Sequence, residues 1–497
     1  MLELFGAGFA AIFSSPVNIL LIFLGVSAGI IFGALPGLTT VAALSMFLPI
    51  TYGMDLGISL AMLTGIYIGG TSGGLVSAIL LNMPGTPSSI ATCFDGRPLA
   101  LKGQAGKALG IGIFCSFIGT LISIVALVFI SPVLAALTIK FGPWENFAVT
   151  VFALALISSL VGKSLVMGLV SALLGMMIAT VGLAPIDAAK RYTFDSIELT
   201  SGFTLLPVLV GLYAISEVIS SSSGSTDKDT SIVTDFTIRG LGFSFAELKS
   251  QIVNIIRCSF IGLGIGILPG IGGSTANLIA YSVTKNSSKY PEKFGSGVID
   301  GVVASESANN ATIGGAMIPL LTLGIPGDGA TALLLGGFML HGVTPGPLLF
   351  QTNGAAVYMI FAAMIFSSFL MMLIMYGGMK GFVQILRIPA HVLLPVIVVL
   401  CIIGAYAVNS RIFDAWGLVF FGVLGLLMKK FGVPIPPLVL GFILGEPFET
   451  NLRRGLQYSN GDFLDILNHP IALMFFVLLV AFFGLTALQK KLREKKT

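Results

Sequence analysis

Apolar stretches long enough to cross a bilayer, about 20 residues of helix each, follow one another along almost the whole 497-residue chain with only short breaks. Backbone groups in hydrocarbon must find partners inside the protein, so such stretches are read as spanning helices, about 12 of them. Charge confirms the class. Only 10% of the residues are charged, against roughly a quarter in an ordinary soluble domain. With 55% hydrophobic residues and a mean hydropathy of +1.00, a water-facing globular surface is excluded. The expected fold is an all-α polytopic membrane protein. Its 62 glycines and 23 prolines exceed what uniform spanning helices need, and point to close helix contacts and deliberately broken helices.

The last apolar stretch, Ile471 to Leu488, carries no charge and is followed by Lys490, Lys491, Arg493, Lys495 and Lys496. By the positive-inside rule this tail faces the cytoplasm. The N-terminus lacks a positive segment, and the apolar sequence behind it outruns a signal peptide, so no cleavage is expected. The net charge of +4 is too small and too scattered for a nucleic-acid surface. Cys93, Cys115, Cys258 and Cys401 show no metal or redox spacing and are read as buried thiols. Trp144 and Trp416 are expected at membrane interfaces.

The chain echoes itself. Gly33-Ala34-Leu35-Pro36-Gly37 returns as Gly266-Ile267-Leu268-Pro269-Gly270, and Met83-Pro84-Gly85-Thr86 as Ile325-Pro326-Gly327-Asp328. Pro207-Val208-Leu209-Val210-Gly211 returns as Pro437-Leu438-Val439-Leu440-Gly441. Three echoes in one order indicate duplication, as in many secondary transporters. The expected organisation is a first transmembrane repeat over 1–219, a polar linker over 220–250, a second repeat over 251–455, and a final helix with its basic tail over 456–497. The loop with Arg97, Lys102 and Lys107 is basic while its counterpart His341–Pro345 has no lysine or arginine. Conversely, Lys285, Lys289 and Lys293 have a counterpart, Thr51–Gly57, without any. Equivalent loops therefore face opposite sides, and the second repeat is expected to be inverted. Lys190-Arg191 and Lys429-Lys430, at comparable places in both halves, disagree.

Enzyme signatures are scarce. His341, His391 and His469 sit in unrelated segments, forming neither a zinc helix nor a local triad, and no phosphate-binding loop is present, so no enzyme activity and no cofactor are expected. The strongest signal is four Pro-Gly breaks in apolar sequence, at Pro36, Pro84, Pro269 and Pro326. There a helix must stop and leave amides and carbonyls unpaired. Each break is followed by small or hydroxyl residues: Thr39 and Thr40 after the first, Gly85, Thr86, Ser88 and Ser89 at the second, Gly272, Gly273, Ser274 and Thr275 after the third, Gly327 and Thr331 at the fourth. Restarting helices direct N–H groups and partial positive charge into the gap, which suits an anion. One isolated Pro-Gly would be read as a kink; matched breaks in both halves favour a binding site. Glu306, Asn309 and Asn310 share helical spacing, and such oxygen-rich clusters suit a hard cation. A helix-end Glu306 facing water is the alternative. Asp328 ligates a cation or stays wet; Asp95 resembles a loop residue.

With these motifs assembled, the chain resembles the large membrane subunit of the tripartite tricarboxylate transporters, the TctA family. The carrying segments are Tyr67–Gly74, Pro84–Ser89, Leu268–Gly273, Glu306–Ala311 and Gly324–Gly327. The resemblance implies a bacterial inner-membrane importer of di- or tricarboxylates, working with a small membrane subunit and a periplasmic solute-binding protein, and energised by sodium or protons. An elevator-like movement is expected by analogy alone. In this reading the hydroxyls and helix ends hold the carboxylate, while Glu306, Asn309, Asn310 and Asp328 serve the coupling cation. An ion or anion channel, a membrane-embedded enzyme and a scaffold for other subunits are the alternatives.

Overall fold

A computed structural model describes residues 2–35, 38–160, 164–223, 241–270, 272–385 and 390–494. Among the described residues six helical stretches are long and apolar enough to span a bilayer: Pro16–Ala34, Leu56–Leu81, Pro87–Thr138, Phe245–Ile267, Gly354–Gly378 and Ile412–Lys430. Eight further apolar helices are shorter, 10 to 17 residues. Together these are fourteen apolar helices among the described residues, by length and composition. The helix Ile299–Leu323 is not among the six. Its 25 residues could cover about 37 Å, but Ser305, Glu306, Ser307, Asn309 and Asn310 make it too polar for lipid. It is buried in protein from Gly301 to Thr322. Among the described residues, a two-residue antiparallel ladder, Gly182–Leu183 with Lys190–Arg191, is the strand structure in an otherwise helical chain.

Packing divides the protein into two compact units, each drawn from both halves of the sequence. One comprises Met1–Ala135 with Leu206–Leu427, the other Ala136–Leu205 with Met428–Thr497. The helix Phe245–Ile267 starts inside the polar passage expected as a linker, with Ser244 and Glu247 forming its capping box. Residues 224–240 of that passage, and the side chains of the basic tail from Lys490 onward, lie outside the described residues.

In the first unit, glycines let two helix pairs touch backbone to backbone. A Cβ on Gly29 would collide with the Ile66 carbonyl, and one on Gly33 with that of Gly70. The same contacts recur 233 and 242 positions further on: Gly262 against the Ala308 carbonyl, and Gly266 against that of Thr312. The breaks repeat too. Gly85 abuts the Gly33 carbonyl and Gly74, and Gly327 abuts the Gly266 carbonyl and Ala316. Capping boxes close both, Thr86 with Ser89 and Asp328 with Thr331.

Loops pair by charge. Lys102 donates to the Ser296 carbonyl at 2.6 Å, so the two basic segments are neighbours. At the segments without lysine or arginine, the His341 ring lies 3.2 Å from the Thr51 carbonyl and 3.0 Å from the Ser59 hydroxyl. Asp95 is no loop residue. It sits on the helix Ile90–Leu99, fully buried, because the chain some 200 residues later folds over it: Gly295, Gly297 and Val298 donate their N–H groups to it. Cys93 is half-buried rather than buried. Trp416 is 70% exposed.

In the second unit, the helices Leu165–Ala179 and Ile435–Tyr458 meet through Gly175 and Gly441. Trp144 is buried there, its ring packed against Gly455 and its N–H donating to Asp465 at 3.2 Å. Arg191 pairs with Glu449 at 2.9 Å and Arg453 with Asp187 at 3.0 Å.

Candidate functional site

The third and fourth breaks touch: the Gly270 N–H donates to the Gly327 carbonyl at 2.7 Å. A chain stopped by proline leaves its amides free for such a bond. The helix Gly272–Ser287 then restarts, with Gly272 in the left-handed region at φ +63°, and its first turn meets the tip of the second break. A Cβ on Gly273 would stand 2.9 Å from Ser88 Cβ, 2.5 Å from Asn309 Oδ1 and 3.3 Å from Thr312 Oγ1. One turn later, Asn277 donates its amide to the Ser88 carbonyl. Gly273, Ser274 and Thr275 are half-buried, so this turn remains within reach of a solute. On the facing tip, Thr86 and Ser88 share a hydroxyl hydrogen bond at 3.0 Å, and the Ser89 hydroxyl donates to the Thr86 carbonyl at 2.9 Å.

The pseudo-equivalent turn lies in the first half. Thr39 caps the helix Thr40–Phe47 by accepting from the Ala42 N–H at 3.2 Å, and Thr40 fills the space over Gly70. Near it, a Cβ on Gly329 would lie 3.4 Å from both Val41 and the Tyr213 hydroxyl. Asp328 caps its own helix, accepting from the Thr331 N–H at 2.8 Å, and also accepts from Tyr67 at 2.5 Å. Pro36, Gly37 and Ile271 lie outside the described residues.

Glu306 is in mid-helix and fully buried; it faces protein, not water. Thr92 donates to it at 2.5 Å, Ser116 at 3.0 Å and Asn310 at 3.3 Å. The Asn310 carbonyl is itself taken by Ser72 at 2.6 Å. Thus the four residues grouped for a cation occupy three places. Glu306 and Asn310 join one hydrogen-bonded network with Thr92, Ser116 and Ser72. Asn309 turns toward Ser88 and Gly273, and Asp328 caps a helix. Sequence reasoning missed Asn277, Thr312, Tyr67 and Tyr213. Only the echo pattern could have found Tyr67, which stands 242 positions before Asn309 as Thr86 stands before Asp328.

Chemically, the meeting tips offer restarted-helix amides, hydroxyls and amide carbonyls. Among the described residues no three His, Cys, Asp or Glu side chains are placed to hold a metal, and no nucleophile with an adjacent base lines the turn.

The sequence model of the family described as "Tripartite tricarboxylate transporter TctA family" matches residues 19–440. An uncharacterized 52.8 kDa protein in the TAR-I ttuC' 3' region of Agrobacterium vitis is 38% identical over 458 residues, 92% of this chain and 91% of that protein. A second uncharacterized protein, in the TAR-II ttuC' 3' region of the same organism, is 41% identical over 208 residues, 42% of this chain and 86% of that protein. No solved structure matches.

Proposed function

The chain belongs to the tripartite tricarboxylate transporter TctA family, and from that premise we propose that it is the large membrane subunit of an importer that takes up di- or tricarboxylates by alternating access, using a sodium or proton gradient. Membership makes it a multi-pass membrane protein of a transporter with partner subunits. The proposal adds a small membrane subunit, a periplasmic solute-binding protein and a bacterial inner membrane with the C-terminus in the cytoplasm. It also assigns the carboxylate to the hydroxyls of Thr39, Thr40, Thr86, Ser88, Ser89, Ser274, Thr275 and Thr331, together with the helix amides beside Gly85, Gly272, Gly273 and Gly327.

One observation carries this reading: the two breaks of the second half are bonded to each other through Gly270 and Gly327, and Ser88 from the first half is seated on Gly273 beside them. Helix amides and hydroxyls at such a junction bind an anion without a buried arginine. The recurrence of Gly33 and Gly266 contacts, and the pairing of basic with basic loops, support two inverted repeats around this junction. Coupling follows from electrostatics. Moving an anion into a negative interior costs about 2.3 kcal/mol per charge per 100 mV, which co-entering cations must offset.

The test is uptake of labelled carboxylates into vesicles holding the full transporter, with binding protein outside and sodium or pH gradients imposed separately. Accumulation against the carboxylate gradient, impaired in Ser88→Ala and Asn310→Ala, is the expected result. Flux that only dissipates the gradient would mark a channel, and altered product an enzyme.

A further inference from the structure

Among the described residues, two amide carbonyl oxygens in this site have no hydrogen-bond partner. Asn309 Oδ1 and Asn277 Oδ1 are both unpaired, on side chains with 0% exposure. Their orientation is fixed by the other end of each amide. Asn277 Nδ2 donates to the Ser88 carbonyl and Asn309 Nδ2 to the Thr71 carbonyl at 3.4 Å, so each oxygen is turned away from the acceptor that its nitrogen uses. Both belong to the same corner: Asn309 Oδ1 and Ser88 border Gly273, and Asn277 is one helical turn beyond Gly273, held to Ser88. The absence of a Cβ on Gly273 is what leaves room beside Asn309 Oδ1.

The first half shows what this corner looks like when it is complete without a guest. The position 242 before Asn309 is Tyr67, which bonds directly to Asp328 at 2.5 Å. The position 233 before Asn277 is Leu44, a fully buried hydrocarbon side chain. Packing at these places is therefore met by a self-satisfied pair and by an apolar residue. In the second half, two buried carbonyls stand unsatisfied instead, at a desolvation cost that only a bound donor or cation can recover.

We propose that Asn277 and Asn309, with the Thr312 hydroxyl beside them, form a site for a dehydrated monovalent alkali cation, sodium being the one whose inward gradient can drive uptake. This rests on the transport reading above and narrows its cation. The ligands are neutral oxygens, whereas a divalent ion of this kind is held by carboxylates, and an amide carbonyl takes up no proton at ordinary pH. The carboxylate of the substrate, on the helix-amide side of the same turn, then lies next to the cation. Each ion strengthens the binding of the other, and this mutual attraction is the coupling.

The experiment is equilibrium binding of radiolabelled sodium to the purified full-length chain in lipid nanodiscs without carboxylate, with potassium and lithium as competitors. Wild type is expected to bind a single ion per chain. Asn277→Ala and Asn309→Ala, each deleting one orphan oxygen, weaken binding about 10-fold or more, and Asp187→Asn in the other unit leaves it unchanged. Because a variant can fail to fold, hydrogen exchange on wild type gives a second reading. Sodium, but not potassium at equal ionic strength, slows exchange over residues 272–281 and 305–312. No sodium binding and no such protection in wild type, while a pH gradient still drives uptake, overturns the site and leaves the transport reading standing. Sodium binding lost in both asparagine variants, with no carboxylate uptake under any gradient, upholds the site and sinks the transport reading.

Discussion

Asp95 holds a strap. From the helix Ile90–Leu99 its Oδ1 accepts from Gly295, Gly297 and Val298 at 3.0, 2.8 and 2.9 Å, while Oδ2 accepts from the Tyr281 hydroxyl at 2.9 Å. The strap leads directly into the helix Ile299–Leu323, which carries Glu306, Asn309 and Asn310. Asp95→Ala removes the acceptor from three backbone amides at once. Hydrogen bonds to a charged group contribute about 1.5–3 kcal/mol each. Gly295 is exposed and Gly297 and Val298 are half-buried, so water recovers part of that loss. A local opening free energy lower by about 2–4 kcal/mol is expected, which speeds amide exchange over residues 294–299 roughly 30- to 900-fold. Asp95→Asn keeps one carbonyl for the three amides and is expected to change exchange by less than about 10-fold. Hydrogen exchange read by mass spectrometry in nanodiscs measures both, with the helix Leu56–Leu81 as internal reference. Unchanged protection of 294–299 in Asp95→Ala, or equal damage in Asp95→Asn, would refute the strap.

Gly327→Ala places a methyl 2.6 Å from Ala316 Cα and 2.8 Å from the Gly266 carbonyl. It should lower thermal stability by about 1–3 kcal/mol, whereas Gly264→Ala, with nothing within 4 Å, should be neutral or stabilising. Tyr67→Phe deletes the 2.5 Å bond to Asp328 and should cost about 1.5–3 kcal/mol in the same melting experiment. A melting temperature equal to wild type would contradict the pairing. In the second unit, the Arg453 hydrogen bond, followed by the Ala189 N–H, holds the Asp187 carboxyl below its ordinary value of 3.8. A depressed carboxyl contributes stability above that ordinary value and loses it as pH falls through the folded one. The Asp187 titration, followed by carbon NMR, should therefore move upward in Arg453→Gln.

The echoes were legible because glycine and proline do the same job in both halves. Gly33 and Gly266 each admit a carbonyl from the neighbouring helix, and only glycine allows that approach, so the motif shows in the sequence. Helical spacing likewise linked Glu306 to Asn310, which meet at 3.3 Å. It did not separate Asn310, whose carbonyl Ser72 occupies, from Asn309, one position along and turned another way. Asp95 looked like a loop because Gly96, Arg97 and Pro98 follow it, and its partners lie some 200 positions away. Asn277 carries no local signal at all; Ser88 and the empty face of Gly273 give it meaning.

Most direct is a thiol-accessibility measurement on full transporter in which the native cysteines are replaced and Ser88→Cys or Ser274→Cys is introduced. If broken helices from the two halves form one carboxylate site with alternating access, a charged, membrane-impermeant thiol reagent reaches both positions from either side of the membrane. The substrate carboxylate slows both reactions together. Cysteines that react only from one side and ignore the carboxylate, or only with lipid-soluble reagents, would contradict it.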